Sequence, residues 1–178
     1  LSKVQLLIGK FLGQGGIITL ATVLGFGSAA LLLGMQTDFA SVLPPFGLFI
    51  LTATLLGLAF ISIAYVISLA VNEKSKAAGI SLLVWFFFVL VFDLALLALL
   101  VGTESGLSQD MLVNTMMLNP ADIFRLINLA ALDTADVNGV LAVAINSSQS
   151  VTSLLLLMFS WIAAPLVIVS CVFKFKKI

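Results

Sequence analysis

Four long apolar stretches constrain the fold of this chain more than any other feature of its sequence. They run over about 11–33, 45–71, 79–101 and 151–173. A helix needs about 20 apolar residues to cross the roughly 30 Å hydrocarbon layer of a bilayer, and each stretch is that long. Helices are expected because an open sheet edge in lipid would leave backbone groups unpaired. The sequence therefore predicts an all-α integral membrane protein with four transmembrane helices.

The composition excludes an ordinary soluble domain. Only 9% of the residues are charged and 62% are hydrophobic, whereas soluble domains carry roughly 25% charged residues. The formal net charge is +0, so nothing indicates a nucleic-acid partner, and membrane lipid is the expected surrounding. The chain has one cysteine, Cys171, and no histidine. Because histidine is the commonest general base and metal ligand, we predict neither a catalytic nor a metal site.

The connections between the spans differ in length. Pro44 and Pro45 are expected to mark the start of the second helix, and Pro165 is expected to kink the fourth. Segments 34–43 and 72–78 are short, whereas segment 102–150 is too long for a simple linker. The chain begins with Leu1, and we interpret it as a piece of a longer polypeptide.

Lysine and arginine are distributed asymmetrically around the spans. With four crossings, the N-terminus, segment 72–78 and the C-terminus lie on one side, and segment 102–150 lies on the other. Seven of the eight basic residues fall in the first group and only Arg125 in the second. Because basic flanks stay in the cytoplasm, both ends are expected to be cytoplasmic and segment 102–150 external.

The external segment carries the signals of short amphipathic helices. In Asn119-Pro120-Ala121-Asp122, Asn caps a helix, Pro takes its first position, and Asp lies in its first turn. Apolar residues follow at helical spacing, and Asp122 can pair with Arg125 on the opposite face. Such helices fit either a roof lying against the membrane or a docking surface over 119–129 for an external partner. The sequence leaves both open.

Three methionines in the same segment suit Cu(I) as thioether ligands, namely Met111, Met116 and Met117. No histidine or cysteine joins them, and methionine is a common gap-filler in apolar packing. We therefore favour packing over metal binding.

Asp93 is the one charged residue inside a predicted span. It lies about 14 residues into the third helix, roughly 21 Å from the cytoplasmic end at 1.5 Å per residue. A carboxylate at that depth is costly and is a functional candidate by default. We expect no basic residue of this chain at the same depth. Asp93 should therefore face a wet cavity or a partner subunit, or remain protonated.

Three segments resemble ABC-2-type permeases. Residues 1–13 (LSKVQLLIGKFLG) are similar to the cytoplasmic segment before the third membrane helix of that family. Residues 74–85, which lead from Lys-x-x-Ala-Gly into the aromatic helix with Asp93, resemble the family as well. Residues 118–126 (LNPADIFRL) are similar to the external loop of the permeases that serve maturation of nitrous-oxide reductase. The resemblance covers essentially the whole chain.

The resemblance implies a six-helix permease of which this chain supplies helices three to six. It implies a homodimer in the bacterial inner membrane that works with a cytoplasmic ABC ATPase. The chain has no G-x-x-x-x-G-K-[ST] phosphate loop, so ATP and Mg²⁺ belong to that partner and no cofactor is expected here. Contact with the ATPase would involve Ser2, Lys3, Gln5, Glu73 and Lys74.

On the external side the resemblance implies a periplasmic β-helical protein that assembles a copper site. Its contact residues here would be Asn119, Pro120, Asp122, Phe124 and Arg125. The leading hypothesis is thus a permease subunit that couples ATP hydrolysis to copper-site assembly of nitrous-oxide reductase. One alternative is an exporter of a lipid, saccharide or drug-like substrate, and another is a membrane anchor or membrane enzyme without ATP coupling.

Overall fold

The computed structural model describes residues 3–102, 108–132 and 150–175, and every regular element within these ranges is helical. The helices are α1 (Lys3–Gln36), α2 (Phe39–Ala70), α3 (Lys74–Phe86), a π-helical segment (Phe87–Val91), α4 (Phe92–Gly102), α5 (Gln109–Met116), α6 (Pro120–Leu132) and α7 (Val151–Phe175). Helix α3, the π segment and α4 follow one another without a break, and together they are called the third span (74–102).

Four helical bodies are long and apolar enough to cross a membrane, and they correspond to the four predicted spans. They are Val4–Gln36, Phe39–Ala70, Lys74–Gly102 and Val151–Phe173. The prediction of an all-α protein with four candidate membrane helices is confirmed, and the chain is a multi-pass membrane protein.

The helix ends differ from the boundaries expected from hydropathy. Helix α2 begins at Phe39, six residues before Pro45, because the Asp38 carboxylate accepts a hydrogen bond from the Ser41 N–H at 3.2 Å and caps the helix. Pro44 and Pro45 consequently lie inside α2. Helix α1 has 34 residues, which is about 51 Å at 1.5 Å per residue. It therefore extends beyond the hydrocarbon layer, which hydropathy alone does not indicate.

Three helix ends meet on one side of the bundle. A cavity of about 310 Å³ is lined by Leu6 and Lys10 of α1, by Tyr65 of α2 and by Phe173 of α7. The start of α1 therefore lies beside the ends of α2 and α7. We call this the lysine side and the other the opposite side; α1 ends and α2 begins on the opposite side.

Helices α2 and α7 form the centre of the bundle, and α1 and the third span lie at its edge. In their most apolar windows, 28% of α2 and 22% of α7 are buried, against 6% for α1 and for the third span. Helices α1 and α2 approach closely where a Cβ on Gly57 would meet Ile18 Cγ2 at 3.0 Å. Gly57 is therefore required by the packing of these two helices.

Helices α5 and α6 form a hairpin that enters the bundle from the opposite side. Leu112 and Met116 of α5 and Ile123 and Ile127 of α6 belong to the same buried cluster as Leu55 of α2. The Asn119 side chain reaches the backbone of Phe88, in the middle of the third span. That these helices lie against the membrane and roof the bundle stays a prediction. The hairpin is inserted between α2, α7 and the third span.

Candidate functional site

One polar residue just before α6 and three within it recur at every third position and form a stripe inside the bundle. We call Asn119, Asp122, Arg125 and Asn128 the polar stripe. Residues three apart lie on neighbouring positions of one helix face. Asn119 and Asp122 are fully buried, and Asn128 is 9% exposed. Because polar groups are costly inside a membrane bundle without partners, each is expected to be hydrogen-bonded, and each is.

Asn119 is the capping residue of α6 and also connects it to the third span. Its Oδ1 accepts a hydrogen bond from the Ala121 N–H at 2.9 Å, as expected for a helix cap. Its Nδ2 donates to the Phe88 carbonyl at 2.8 Å and to the Asp122 carboxylate at 2.9 Å. The predicted helix start at Asn-Pro-Ala-Asp is thus present. Its capping side chain lies inside the bundle, where it also binds the third span.

Arg125 lies between two carboxylates. Its Nη1 donates to Asp122 at 3.1 Å and also forms an ion pair with Asp93 of the third span. Its Nη2 donates to the Val89 carbonyl at 3.4 Å. The Asp122 side chain is fully buried, whereas Arg125 and Asp93 are 30% and 37% exposed. Three charged groups and one main-chain carbonyl therefore join α6 to the third span.

The expectation that Asp93 has no basic residue at its depth is wrong. The prediction assigned Arg125 to a water-exposed segment, but insertion of the hairpin brings it to Asp93. The free-energy cost of a carboxylate inside a membrane is lowered when a guanidinium pairs with it. The Asp122–Arg125 pair was expected at spacing three and is present, with the Asp122 side chain fully buried.

The π segment supplies the carbonyls that the polar stripe uses. In this segment the Phe92 N–H donates to the Phe87 carbonyl, five residues back. A turn of that width has one residue more than an α turn, and such single π turns inside α-helices are frequent at functional sites. Phe88 and Val89, whose carbonyls bind Asn119 and Arg125, both lie in this segment. The wide turn and the polar stripe therefore fit one another.

Asn128 connects α6 to α2. Its Nδ2 donates to Thr52 Oγ1 at 2.9 Å and to the Phe124 carbonyl at 2.8 Å. Thr52 is fully buried, and its hydroxyl lies 2.9 Å from the Leu48 carbonyl, to which it donates. The polar stripe thus contacts two of the three membrane-crossing elements beside the hairpin, α2 and the third span.

The arrangement joins α6 to its neighbours through ion pairs and hydrogen bonds. Within residues 3–102, 108–132 and 150–175, no group of three His, Cys, Asp or Glu side chains that could hold a metal ion comes together. The carboxylates of Asp93 and Asp122 are both engaged by one guanidinium. Together, Asp93, Asp122 and Arg125 connect the hairpin to the third span at a defined position along it.

The residues expected to contact an external partner are largely internal. Asn119, Pro120 and Asp122 are buried, and Phe124 and Arg125 are half-buried. Among the described side chains of the hairpin, the exposed large hydrophobic ones are Met111 and Leu118. Any partner that binds the hairpin in this arrangement would reach such exposed positions before the predicted ones.

The residues expected to contact an ATPase lie on the lysine side where the structure describes them. Glu73 and Lys74 stand at the start of the third span, and Glu73 pairs with Lys76 at 3.0 Å. Lys3 and Gln5 lie at the beginning of α1. Ser2 falls outside the described residues.

Sequence reasoning missed Asn128, Thr52 and the π segment. The repeat of polar residues at 119, 122, 125 and 128 was the available signal for Asn128. Nothing in the sequence marks Thr52 or the wide turn, because both depend on which helix lies opposite.

The chain was compared with known proteins. It matches the family described as ABC-2 family transporter protein over residues 1–178. A relative from Pseudomonas aeruginosa, called probable ABC transporter permease protein NosY, is 45% identical over 181 residues, covering 100% of this chain and 66% of the relative. A protein of the same name from Stutzerimonas stutzeri is 42% identical over 178 residues, covering 98% of this chain and 64% of the relative. The chain spans about two thirds of the length of these curated relatives.

Proposed function

This chain belongs to the ABC-2 family of transporter proteins, and from that premise we propose that it is the membrane part of a permease subunit that transmits ATP-driven movement across the bilayer. The observation that carries the proposal is the ion pair of Arg125 on α6 with Asp93 of the third span. The third span begins at Lys74 on the lysine side. A displacement applied there would reach the hairpin through this pair.

The cytoplasmic partner in this proposal is an ABC ATPase that binds ATP and Mg²⁺. Its contact surface would include Ser2, Lys3, Gln5, Glu73 and Lys74. The asymmetry of basic residues supports a cytoplasmic lysine side in a bacterial inner membrane. The same family membership supports a working unit with two copies of the permease.

The process on the periplasmic side is proposed to be copper-site assembly of nitrous-oxide reductase. The resemblance of residues 118–126 supports it, and it is in keeping with the name NosY that both relatives carry. The partner there would be a β-helical assembly protein. Because the predicted contact residues are largely buried in the isolated chain, we propose that Asn119, Pro120, Asp122, Phe124 and Arg125 position the hairpin that meets this partner.

Purification of the tagged full-length protein from native membranes tests the partners. An ATPase together with a periplasmic β-helical protein among the co-purifying chains is the expected result. An ATPase alone would remove the copper-assembly part of the proposal. Absence of any ATPase would overturn the proposal as a whole.

A pair of matched variants tests the transmission of movement. Asp93→Asn in the full-length complex should leave ATPase binding intact and reduce reductase maturation, because the pair with Arg125 is weakened. Asp110→Asn is the control, since Asp110 is an exposed acid in the first turn of α5. Equal maturation by both variants would show that the pair transmits nothing.

A further inference from the structure

A cavity of about 400 Å³ lies between α1, α2 and α6 on the opposite side of the bundle. Its volume falls within the range of small-molecule sites. The lining is apolar apart from one amide, and consists of Phe26, Ala29, Pro45, Phe46, Phe49 and Asn128. No step of the proposed permease mechanism uses this cavity.

The walls of the cavity are built from interlocking aromatic rings. Phe26 and Phe49 meet edge to face with centroids 4.6 Å apart. Phe49 in turn meets Phe124 of α6 at 5.4 Å, again edge to face. Such walls present ring faces and ring edges together, which is the arrangement that a further aromatic ring prefers to pack against.

The one polar side chain of the lining has an unused acceptor. Both hydrogen bonds of Asn128 require it to donate: the Phe124 carbonyl can only accept, and the Thr52 hydroxyl already donates to Leu48. The orientation of the amide is therefore determined by chemistry, with Nδ2 on these two groups. Its Oδ1 has no partner among the described residues, although Asn128 is 9% exposed.

A buried amide oxygen without a donor is costly, and native proteins rarely leave one. Thr52, which holds Asn128, lies 13 residues after the start of α2 at Phe39, or about 20 Å along the helix. Water is scarce at that depth in a bilayer. A ligand that supplies one donor would therefore have to be soluble in lipid.

We propose that this cavity binds a lipid-soluble phenol, whose ring packs among the phenylalanines and whose hydroxyl donates to Asn128 Oδ1. The single acceptor selects a molecule with one buried donor, and the aromatic walls favour an aromatic ring over an alkyl alcohol. The site is separate from the Asp93–Arg125 pair and does not depend on the proposed function.

The test uses the full-length protein in lipid nanodiscs with a photoreactive 2,6-dialkylphenol as the probe. The expected result is cross-linking to the lining residues of α1 and α2, located by mass spectrometry. An excess of plain dialkylphenol should compete, and the dialkylbenzene of the same shape but without the hydroxyl should compete roughly tenfold less well, as expected for one hydrogen bond. Equal competition by the two molecules would overturn the proposal.

Three variants distinguish the effect of the Asn128 Oδ1 acceptor from the effect of the cavity's shape. Asn128→Leu should weaken phenol binding roughly tenfold and remove the preference for phenol over the dialkylbenzene. Thr52→Val removes the neighbouring hydroxyl and leaves Oδ1 in place, so the preference should persist. Ala29→Phe narrows the cavity without touching the amide and should abolish cross-linking. Unchanged cross-linking in Ala29→Phe would also overturn the assignment.

Discussion

At the scale of single residues, Arg125 has the largest electrostatic role in the described structure. Among the described side chains it is the only cation paired with two carboxylates, and one of these, Asp122, is fully buried. Removing one partner of a buried ion pair is far more costly than removing both, because a charge is left without compensation. The stability of the hairpin should therefore depend on the balance of charge and not on any one side chain.

Arg125→Met keeps much of the side-chain volume and removes the charge. We expect a loss of about 2–3 kcal/mol, less than for a fully buried pair because Arg125 is 30% exposed. Asp122→Asn added to this variant should restore part of the loss, since the buried carboxylate is then absent. Thermal unfolding of the full-length protein in nanodiscs measures both effects.

The control for this prediction is Lys76→Met. Lys76 pairs with Glu73, and both side chains are more than 60% exposed. A surface pair contributes about 0–1 kcal/mol, so this variant should be nearly as stable as the parent. A double variant no more stable than Arg125→Met alone would contradict the charge-balance argument.

At the scale of helices, the π segment and the polar stripe form a matched pair. The wide turn spans Phe87–Val91, and Asn119 and Arg125 donate to the carbonyls of Phe88 and Val89 within it. A regular α turn would use its own N–H groups for these carbonyls. We therefore expect the attachment of α6 to the third span to depend on the one extra residue in that span.

Deletion of Leu90 tests this dependence. The shortened turn should close as an α-helix and leave the flanking helical faces in place, so circular dichroism should change little. Asn119→Ala should then cost about 1 kcal/mol less than in the parent chain, because one hydrogen bond to the third span is already lost. Equal costs in the two backgrounds would show that the wide turn does not support the hairpin.

The contact between α1 and α2 gives a second prediction for helices. Gly57→Leu places a branched side chain against Ile18, where even a Cβ would lie at 3.0 Å. We expect separation of the helices and a loss of about 1–3 kcal/mol, as for overpacked cores. Gly13→Leu is the matched control, because a Cβ on Gly13 has nothing within 4 Å. Unfolding measurements that place the two variants at equal stability would contradict the packing.

At the scale of the whole molecule, the four spans were predictable because hydropathy is a local property of the sequence. The position of the hairpin was not. The pattern of α6, apolar on one face and polar on the other, is the same whether the polar face meets water or the carbonyls of another helix. Asp93 was an indication that the hairpin contacts the third span. An intramembrane acid requires a partner, and Arg125 was the only basic residue expected on that side. The ends of α1 and α2 depended on caps such as Asp38, which hydropathy does not register.

Cysteine labelling in intact cells can distinguish an inserted hairpin from a surface roof. Cys171 is the one cysteine of this chain, so Cys171→Ser, together with replacement of any cysteine in the rest of the full-length protein, gives a clean background. In that background, Asp110→Cys should react with a charged, membrane-impermeant maleimide added from outside. Glu73→Cys should react only after the membrane is permeabilised, because it lies on the lysine side.

Leu118→Cys decides between the two arrangements. Leu118 is 63% exposed in the isolated chain, so a hairpin lying on the membrane surface would present it to water and to the reagent. In the structure it precedes Asn119, which contacts the middle of the third span. Its surroundings are therefore lipid or protein, where a thiol stays protonated and a charged reagent does not enter. We expect no labelling until the protein is unfolded in detergent, and labelling of Leu118→Cys at the rate of Asp110→Cys would place the hairpin outside the bilayer.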